Sequence, residues 1–174
     1  MAFISISITK NHPLILGKGG FGRQLADWLS AEGWGEAEFL DDSAPGCVGG
    51  LRDYADPKLL KPGRPAFVAL GDNPLRVELL QKLAAAGYNT PVFISDMAAV
   101  SPSAVLEPGC VILPQAYVGA DAHLGVGCII NGGAIVDHDA VLGRGVHVAP
   151  GGIVKAGAEV EALTKVDSWE IIKK

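Results

Sequence analysis

Residues 111–150 read VILPQAYVGADAHLGVGCIINGGAIVDHDAVLGRGVHVAP, and every sixth position in them is a branched aliphatic: Ile112, Val118, Leu124, Ile130, Val136, Leu142 and Val148. The phase runs outward through Leu106 and Val100 to Ile94, and through Val154 and Val160 to Val166. Four places after most of these stands something small, such as Ala104, Cys110, Ala122, Cys128, Ala140 or Gly152. Helices repeat at about 3.6 residues and strands at two, so a period of six means short flat rungs separated by tight corners. Three rungs close one triangular coil, with the large aliphatic pointing inward and little room four places on. Such hexapeptide repeats are the mark of a parallel β-helix. Glu107-Pro108-Gly109, Asn131-Gly132-Gly133 and Pro150-Gly151-Gly152 supply corners, where glycine accepts positive φ and proline pre-sets a turn. A β-sandwich is the alternative, but its period-two alternation does not hold one phase through the whole run.

Outside the repeat the composition changes. Two of the three tryptophans and most other aromatics precede it, whereas the repeat is rich in Gly, Ala and Val. This divides the 174 residues into an N-terminal module, 1–93, and a β-helix, 94–174, with the boundary near Pro91 to Ile94. A net charge of -5 provides no basic stripe for nucleic acid and no polybasic membrane signal. Residues 1–8 alternate like a strand and lack the pattern of a signal peptide, and no apolar stretch approaches the length of a membrane span. The three cysteines, Cys47, Cys110 and Cys128, have no metal-ligand spacing. Cys110 and Cys128 lie one coil apart at the small inward position, where a free thiol acts as a compact hydrophobe. A cytoplasmic setting fits these features.

In the N-terminal module, Leu14-Ile15-Leu16 leads into Gly17-Lys18-Gly19-Gly20-Phe21-Gly22 and then into a stretch with helical spacing of Leu25, Trp28 and Leu29. Strand, glycine loop and helix in that order satisfy G-x-G-x-x-G, whose backbone N–H groups can approach a phosphate at a helix N-terminus. Glycine-rich turns also occur wherever a strand bends sharply into a helix, so the motif alone leaves a purely structural turn open. Phe39-Leu40-Asp41-Asp42 reads as a second strand ending in carboxylates where a ribose-binding acid would sit. A third strand, 66–70, ends at Gly71-Asp72-Asn73-Pro74, where Asp72 or Asn73 can cap a helix carrying Arg76, Leu79, Leu80 and Leu83.

His123, His138 and His147 fall on the β-helix. His123 and His147 immediately precede the inward aliphatic of their rungs, whereas His138 follows one by two, so the three do not converge on a metal. No metal site is expected. His138 stands in Val136-Asp137-His138-Asp139, at a corner and between two carboxylates. An imidazole there titrates near neutral pH and can take a proton from an attacking amine or hydroxyl while a carboxylate fixes its tautomer. It can equally be an ordinary surface histidine.

The motifs Gly17 to Gly22, Phe39 to Asp42, Leu70 to Asn73 with Arg76, Ile130-Asn131, Asp137-His138-Asp139 and Gly145-Val146-His147-Val148-Ala149-Pro150-Gly151 occur in one order along nearly the whole chain. In these the chain resembles the bacterial nucleotide-sugar acyltransferases typified by UDP-4-amino-sugar N-acetyltransferases and sialic acid O-acetyltransferases. The resemblance implies a Rossmann-like α/β domain holding a nucleotide sugar, then a left-handed β-helix that forms a homotrimer and binds acetyl-CoA between adjacent prisms. It implies His138 as general base with Asp137 or Asp139 polarising it, and His147, Gly145 and Gly151 on the acetyl-CoA side. Asn131 would line the acceptor pocket, and Gly17, Gly19, Gly20, Asp41, Asp42, Gly71, Asp72 and Asn73 would surround the nucleotide. Acetyl transfer would proceed by direct attack of the sugar amine on the thioester, without metal. The resemblance departs at the C-terminus, where fewer hexads precede Lys174 than is usual in the family. This predicts a weakened donor groove, or a tail around Trp169, Ile171 and Ile172 that turns outward as a cap. It also keeps a second reading in view: a catalytically lapsed or regulatory trimer that retains the sugar-nucleotide pocket, against which the presence of both His138 and His147 argues. A sialic acid O-acetyltransferase is a further alternative.

Overall fold

The computed structural model describes residues 12–59 and 61–174; the strand expected over residues 1–8 lies outside them. Three short parallel strands, β1 (Leu14–Leu16), β2 (Glu38–Leu40) and β3 (Ala66–Val68), form a sheet in the order β2-β1-β3, with helices α1 (Gly20–Ala31) and α2 (Asn73–Ala85) following β1 and β3. Strand side chains alternate between faces, and here both faces are covered. Leu14, Leu16, Ala66 and Val68 pack against Leu79, Leu80 and Leu83 of α2. On the other face Ile15 and Phe67 pack with Leu25 and Leu29 of α1. Each large aliphatic or aromatic so buried contributes roughly 1.5–3 kcal/mol. The boundaries of α2 follow from its caps: Asp72 accepts from the Leu75 N–H at 2.9 Å, and Pro74 occupies the first turn.

From β4 (Phe93–Ile94) to β17 (Ile171–Ile172) the chain forms two-residue rungs, which stack in parallel into three sheets of five, five and four rungs. Rung pairs lie eighteen residues apart, as Ile130 over Ile112 and Val148 over Ile130 illustrate. The sixth-residue aliphatics from Val100 onward and the small residues four places on, including Cys110 and Cys128, form one continuous core inside the prism, whereas Ile94 in the first rung is exposed. The cysteine thiols donate to the carbonyls of Gly125 and Gly143 at 3.3 and 3.2 Å. The C-terminal stretch does not turn outward as a cap. Ile172 is in phase with Val166, and Ile171–Ile172 is simply the next rung, paired with β14 (Ile153–Val154).

The outward row of one sheet is Phe93, Val111, Ile129, His147 and Lys165, in register from rung to rung. Phe93, Val111 and Ile129 are buried in the same cluster as Ile15, Leu25 and Phe67, so the N-terminal sheet is clamped to the prism by apolar contact. The row becomes polar at His147. Along the adjacent corner lie Gly109, Gly127, Gly145 and Leu163, all at φ between +65° and +74°. A Cβ at Gly109 or Gly127 would come within 2.7 Å of Leu80, and one at Gly145 within 2.7 Å of Val77, so α2 rests directly on this corner.

Candidate active site

Two clusters carry the polar side chains. The first is the corner after β11 (Ile135–Val136). The Asp137 carboxylate accepts from the His138 backbone N–H at 2.8 Å, and His138 Nδ1 lies 2.6 Å from Asp139 Oδ2. Asp139 adopts the left-handed conformation, φ +58°, which its short polar side chain tolerates. The corner is tied to the coils on either side, because Asp139 N–H donates to the Ala120 carbonyl and Gly157 N–H to that of His138, both at 2.9 Å. Gly119 lies directly beneath, where a Cβ would stand 2.5 Å from the His138 backbone nitrogen. The imidazole is exposed, and its hydrogen bond to Asp139, reinforced by the charges of Asp137 and Asp139, raises its pKa above 6.5. With Nδ1 turned to the carboxylate, Nε2 is the atom left to take a proton.

The second cluster surrounds His147 on β13 (His147–Val148). Asn131, which follows β10 (Ile129–Ile130), accepts from the Gly132 N–H through Oδ1 at 2.9 Å. Its Nδ2 is therefore turned to His147 Nε2, 3.4 Å away, and that ring nitrogen is the acceptor. The proton of the neutral ring then sits on Nδ1, which is buried and has no hydrogen-bond partner among the described residues. Burial, together with the positive charges of Arg76 and Lys165, holds the His147 pKa down to about 4, so the ring is neutral at physiological pH.

The glycine loop is built as its spacing predicts. Gly17 has φ +99°, and a Cβ there would meet Leu70 at 2.7 Å and the Ala69 carbonyl at 2.8 Å. A Cβ at Gly22 would fall 2.0 Å from the Gly17 carbonyl oxygen, so the third glycine is required for α1 to pack on β1. Gly19 and Gly20, at the N-terminus of α1, face open space, as does Gly71. Both Asp41 oxygens are committed to the protein itself: Oδ2 accepts from Lys18 N–H at 2.7 Å, and Oδ1 from Ser43 and Ala44 N–H at 2.9 Å each. These backbone hydrogen bonds lower its pKa to about 2. Asp41 thus ties the glycine loop to the segment after β2, an arrangement that leaves little for a ribose. Asp42 accepts from Leu51 N–H, and Asp72 caps α2.

Other expected ligand contacts are also used internally. Asn73 is buried and donates through Nδ2 to the Leu163 carbonyl at 2.8 Å, so it links the two modules. Gly145 is buried under α2, with its carbonyl held by Arg76 at 2.7 Å, so it forms part of that joint. Gly151 lies beneath the exposed Trp169 indole, which a Cβ would contact at 2.7 Å. No hydrogen bond joins His138 to His147. Among the described residues no group of three or more His, Cys, Asp or Glu side chains could hold a metal ion, and no helix is long and apolar enough to cross a membrane.

Residues 14–83 match the model of the PglD N-terminal domain family. The acetyltransferase domain of PglB from Neisseria gonorrhoeae, solved in complex with acetyl coenzyme A, is 32% identical. That alignment covers 90% of this chain and 84% of the PglB domain, with a TM-score of 0.75. PerB from Caulobacter crescentus, solved with CoA and GDP-perosamine, is 31% identical over 88% of this chain and 76% of its own, with a TM-score of 0.81. WeeI from Acinetobacter baumannii shares the fold at 16% identity, with a TM-score of 0.58. Among curated proteins no significant sequence match is found.

Proposed function

The chain belongs to the hexapeptide-repeat family of sugar acetyltransferases, with its left-handed β-helix, and from that premise we propose that it transfers an acetyl group from acetyl-CoA to the amino group of a nucleotide-linked amino sugar. The observation that carries this reading is the His138–Asp139 pair, an exposed imidazole whose outer nitrogen is free to accept a proton. The sugar nitrogen attacks the thioester carbonyl carbon while His138 Nε2 takes the amine proton. The carbon–sulfur bond then breaks, and the thiolate leaves with a proton returned from the imidazolium. Gly17, Gly19, Gly20, Asp42 and Gly71 are assigned to the nucleotide, its phosphates lying at the N-terminus of α1. His147 and Gly151 are assigned to the acetyl-CoA side, and Asn131 to the acceptor pocket. Both relatives solved with CoA or acetyl-CoA support the donor, and GDP-perosamine in PerB supports an amino-sugar acceptor.

The working form is a homotrimer. Tyr117, Ile135 and Ile171 lie in register on one face, 43%, 37% and 47% exposed, and Val105 and Val141 are exposed on the next. His138 stands at the corner between these faces, so the cyclic packing that covers them brings a second protomer to the base. The cytoplasm, where free thiols such as Cys47, Cys110 and Cys128 persist, is the proposed site of action.

The test is release of free CoA thiol from acetyl-CoA in the presence of UDP- and GDP-linked 4-amino sugars, with the product identified by mass spectrometry. Mass gain on the sugar nitrogen supports the proposal. Binding of the nucleotide sugar without any transfer would favour the lapsed, regulatory reading instead, and acetylation at oxygen would favour the sialic acid type.

A further inference from the structure

One fully buried cation belongs to neither cluster above. Arg76, in the first turns of α2, is fully buried. Its three guanidinium nitrogens each donate to a different carbonyl: Nη1 to Leu70 at 2.8 Å, Nε to Gly127 at 2.8 Å and Nη2 to Gly145 at 2.7 Å. Leu70 lies in the loop between β3 and α2, and its side chain lies against Gly17 of the glycine loop. Gly127 is the corner before the rung that Asn131 follows, and Gly145 is the corner before the rung carrying His147. One rigid fork therefore spans the nucleotide-side loop and the two rungs that bear the Asn131–His147 pair.

Packing alone does not call for this residue. Burying a cation is costly, and a well-packed aliphatic of similar volume is often neutral or stabilising in its place. Among the described residues no carboxylate lies within ion-pair distance of Arg76. What the guanidinium supplies, and an aliphatic or a lysine would not, is fixed geometry among three acceptors. We propose that Arg76 is a positioning residue that sets the distance and angle between the nucleotide-sugar loop and the Asn131–His147 rungs. The acceptor amine and the acyl carbon then meet at bonding distance. The inference rests on the acetyl transfer proposed above.

Misplacement of reacting groups by about 1 Å can cost on the order of 10²-fold in rate while leaving binding nearly intact. Arg76→Lys and Arg76→Gln are to be compared with wild type in steady-state kinetics well below their melting temperatures, with thermal unfolding measured in parallel. The expected result is a fall in kcat of about 10- to 10²-fold, with KM for acetyl-CoA and for the nucleotide sugar each changed by no more than about threefold. In Arg76→Ala, millimolar methylguanidine should restore part of kcat. Lower melting temperatures with kcat unchanged in both folded variants would overturn the role. So would equal increases in both KM values with kcat retained. An inactive wild-type protein would instead overturn the proposed reaction, and this role with it.

Discussion

His138 and His147 share one prism, yet their surroundings drive their titration in opposite directions. At the exposed corner Asp139 and Asp137 favour the imidazolium and raise the His138 pKa. At the edge of the inter-module joint, burial with Arg76 and Lys165 nearby holds His147 neutral down to about pH 4. Two like groups pushed apart by environment define two jobs: a base that must gain a proton, and a neutral polar group that must not. The contrast also divides the molecule mechanically. The His138 corner is held by backbone bonds between coils, whereas the His147 region is held by a separate module pressed against the row below it.

The sharpest attempt to break this contrast is His138→Ala. Turnover is expected to drop by at least ~10²-fold, with nucleotide-sugar binding by calorimetry unchanged; comparable turnover would remove His138 from the reaction. Gly119→Ala should come next in effect. Its new methyl group would press on the His138 backbone nitrogen, and overpacking of this kind costs about 1–3 kcal/mol. Both melting temperature and kcat should fall, and a variant matching wild type in both would show that the corner is not held rigidly from below.

Asp139→Asn sharpens the comparison through pH. With the carboxylate gone, the His138 pKa should relax downward, so the acidic limb of kcat/KM should move to lower pH while its amplitude declines. A limb that stays in place would dissociate Asp139 from the base. The smallest effect concerns stability. Because the folded-state pKa of His147 lies below the unfolded value of 6.5, neutral His147 stabilises the fold above that pH, and the contribution is lost as pH falls from 6.5 toward 4. Denaturant titrations between pH 7 and 4 should therefore decline less steeply for His147→Gln than for wild type. Parallel declines would place the ring in a more aqueous setting.

Much of this was legible in the sequence. The six-residue phase identified the rungs and their inward residues, and carried further it also includes Ile172. The apolar cluster of Trp169, Ile171 and Ile172 reads as a cap only when taken apart from that phase. The glycine loop followed from G-x-G-x-x-G because its constraints are local: Gly17 and Gly22 touch each other within one turn. The joint was not legible, since Arg76 and Asn73 reach partners 51, 69 and 90 residues away and their local motif points to a helix cap and a nucleotide rather than to the prism. Asp41 illustrates a different limit. Its spacing after the glycine loop suits a ribose acid, but spacing does not reveal that backbone N–H groups already occupy both of its oxygens.

The contact between α2 and the prism also has a geometric limit. Down the corner, Asn73 meets the coil of Leu163, Arg76 and Val77 that of Gly145, and Leu80 those of Gly127 and Gly109, so successive turns of helix address successive coils. A helical turn advances about 5.4 Å and a coil about 4.8 Å. The two pitches are close but incommensurate, and the misfit grows to roughly 2 Å over three turns. A helix much longer than α2 would fall out of step with the stack. Engineered extensions of this scaffold should therefore lengthen the prism by whole coils above Leu163 and leave the helix at its present span.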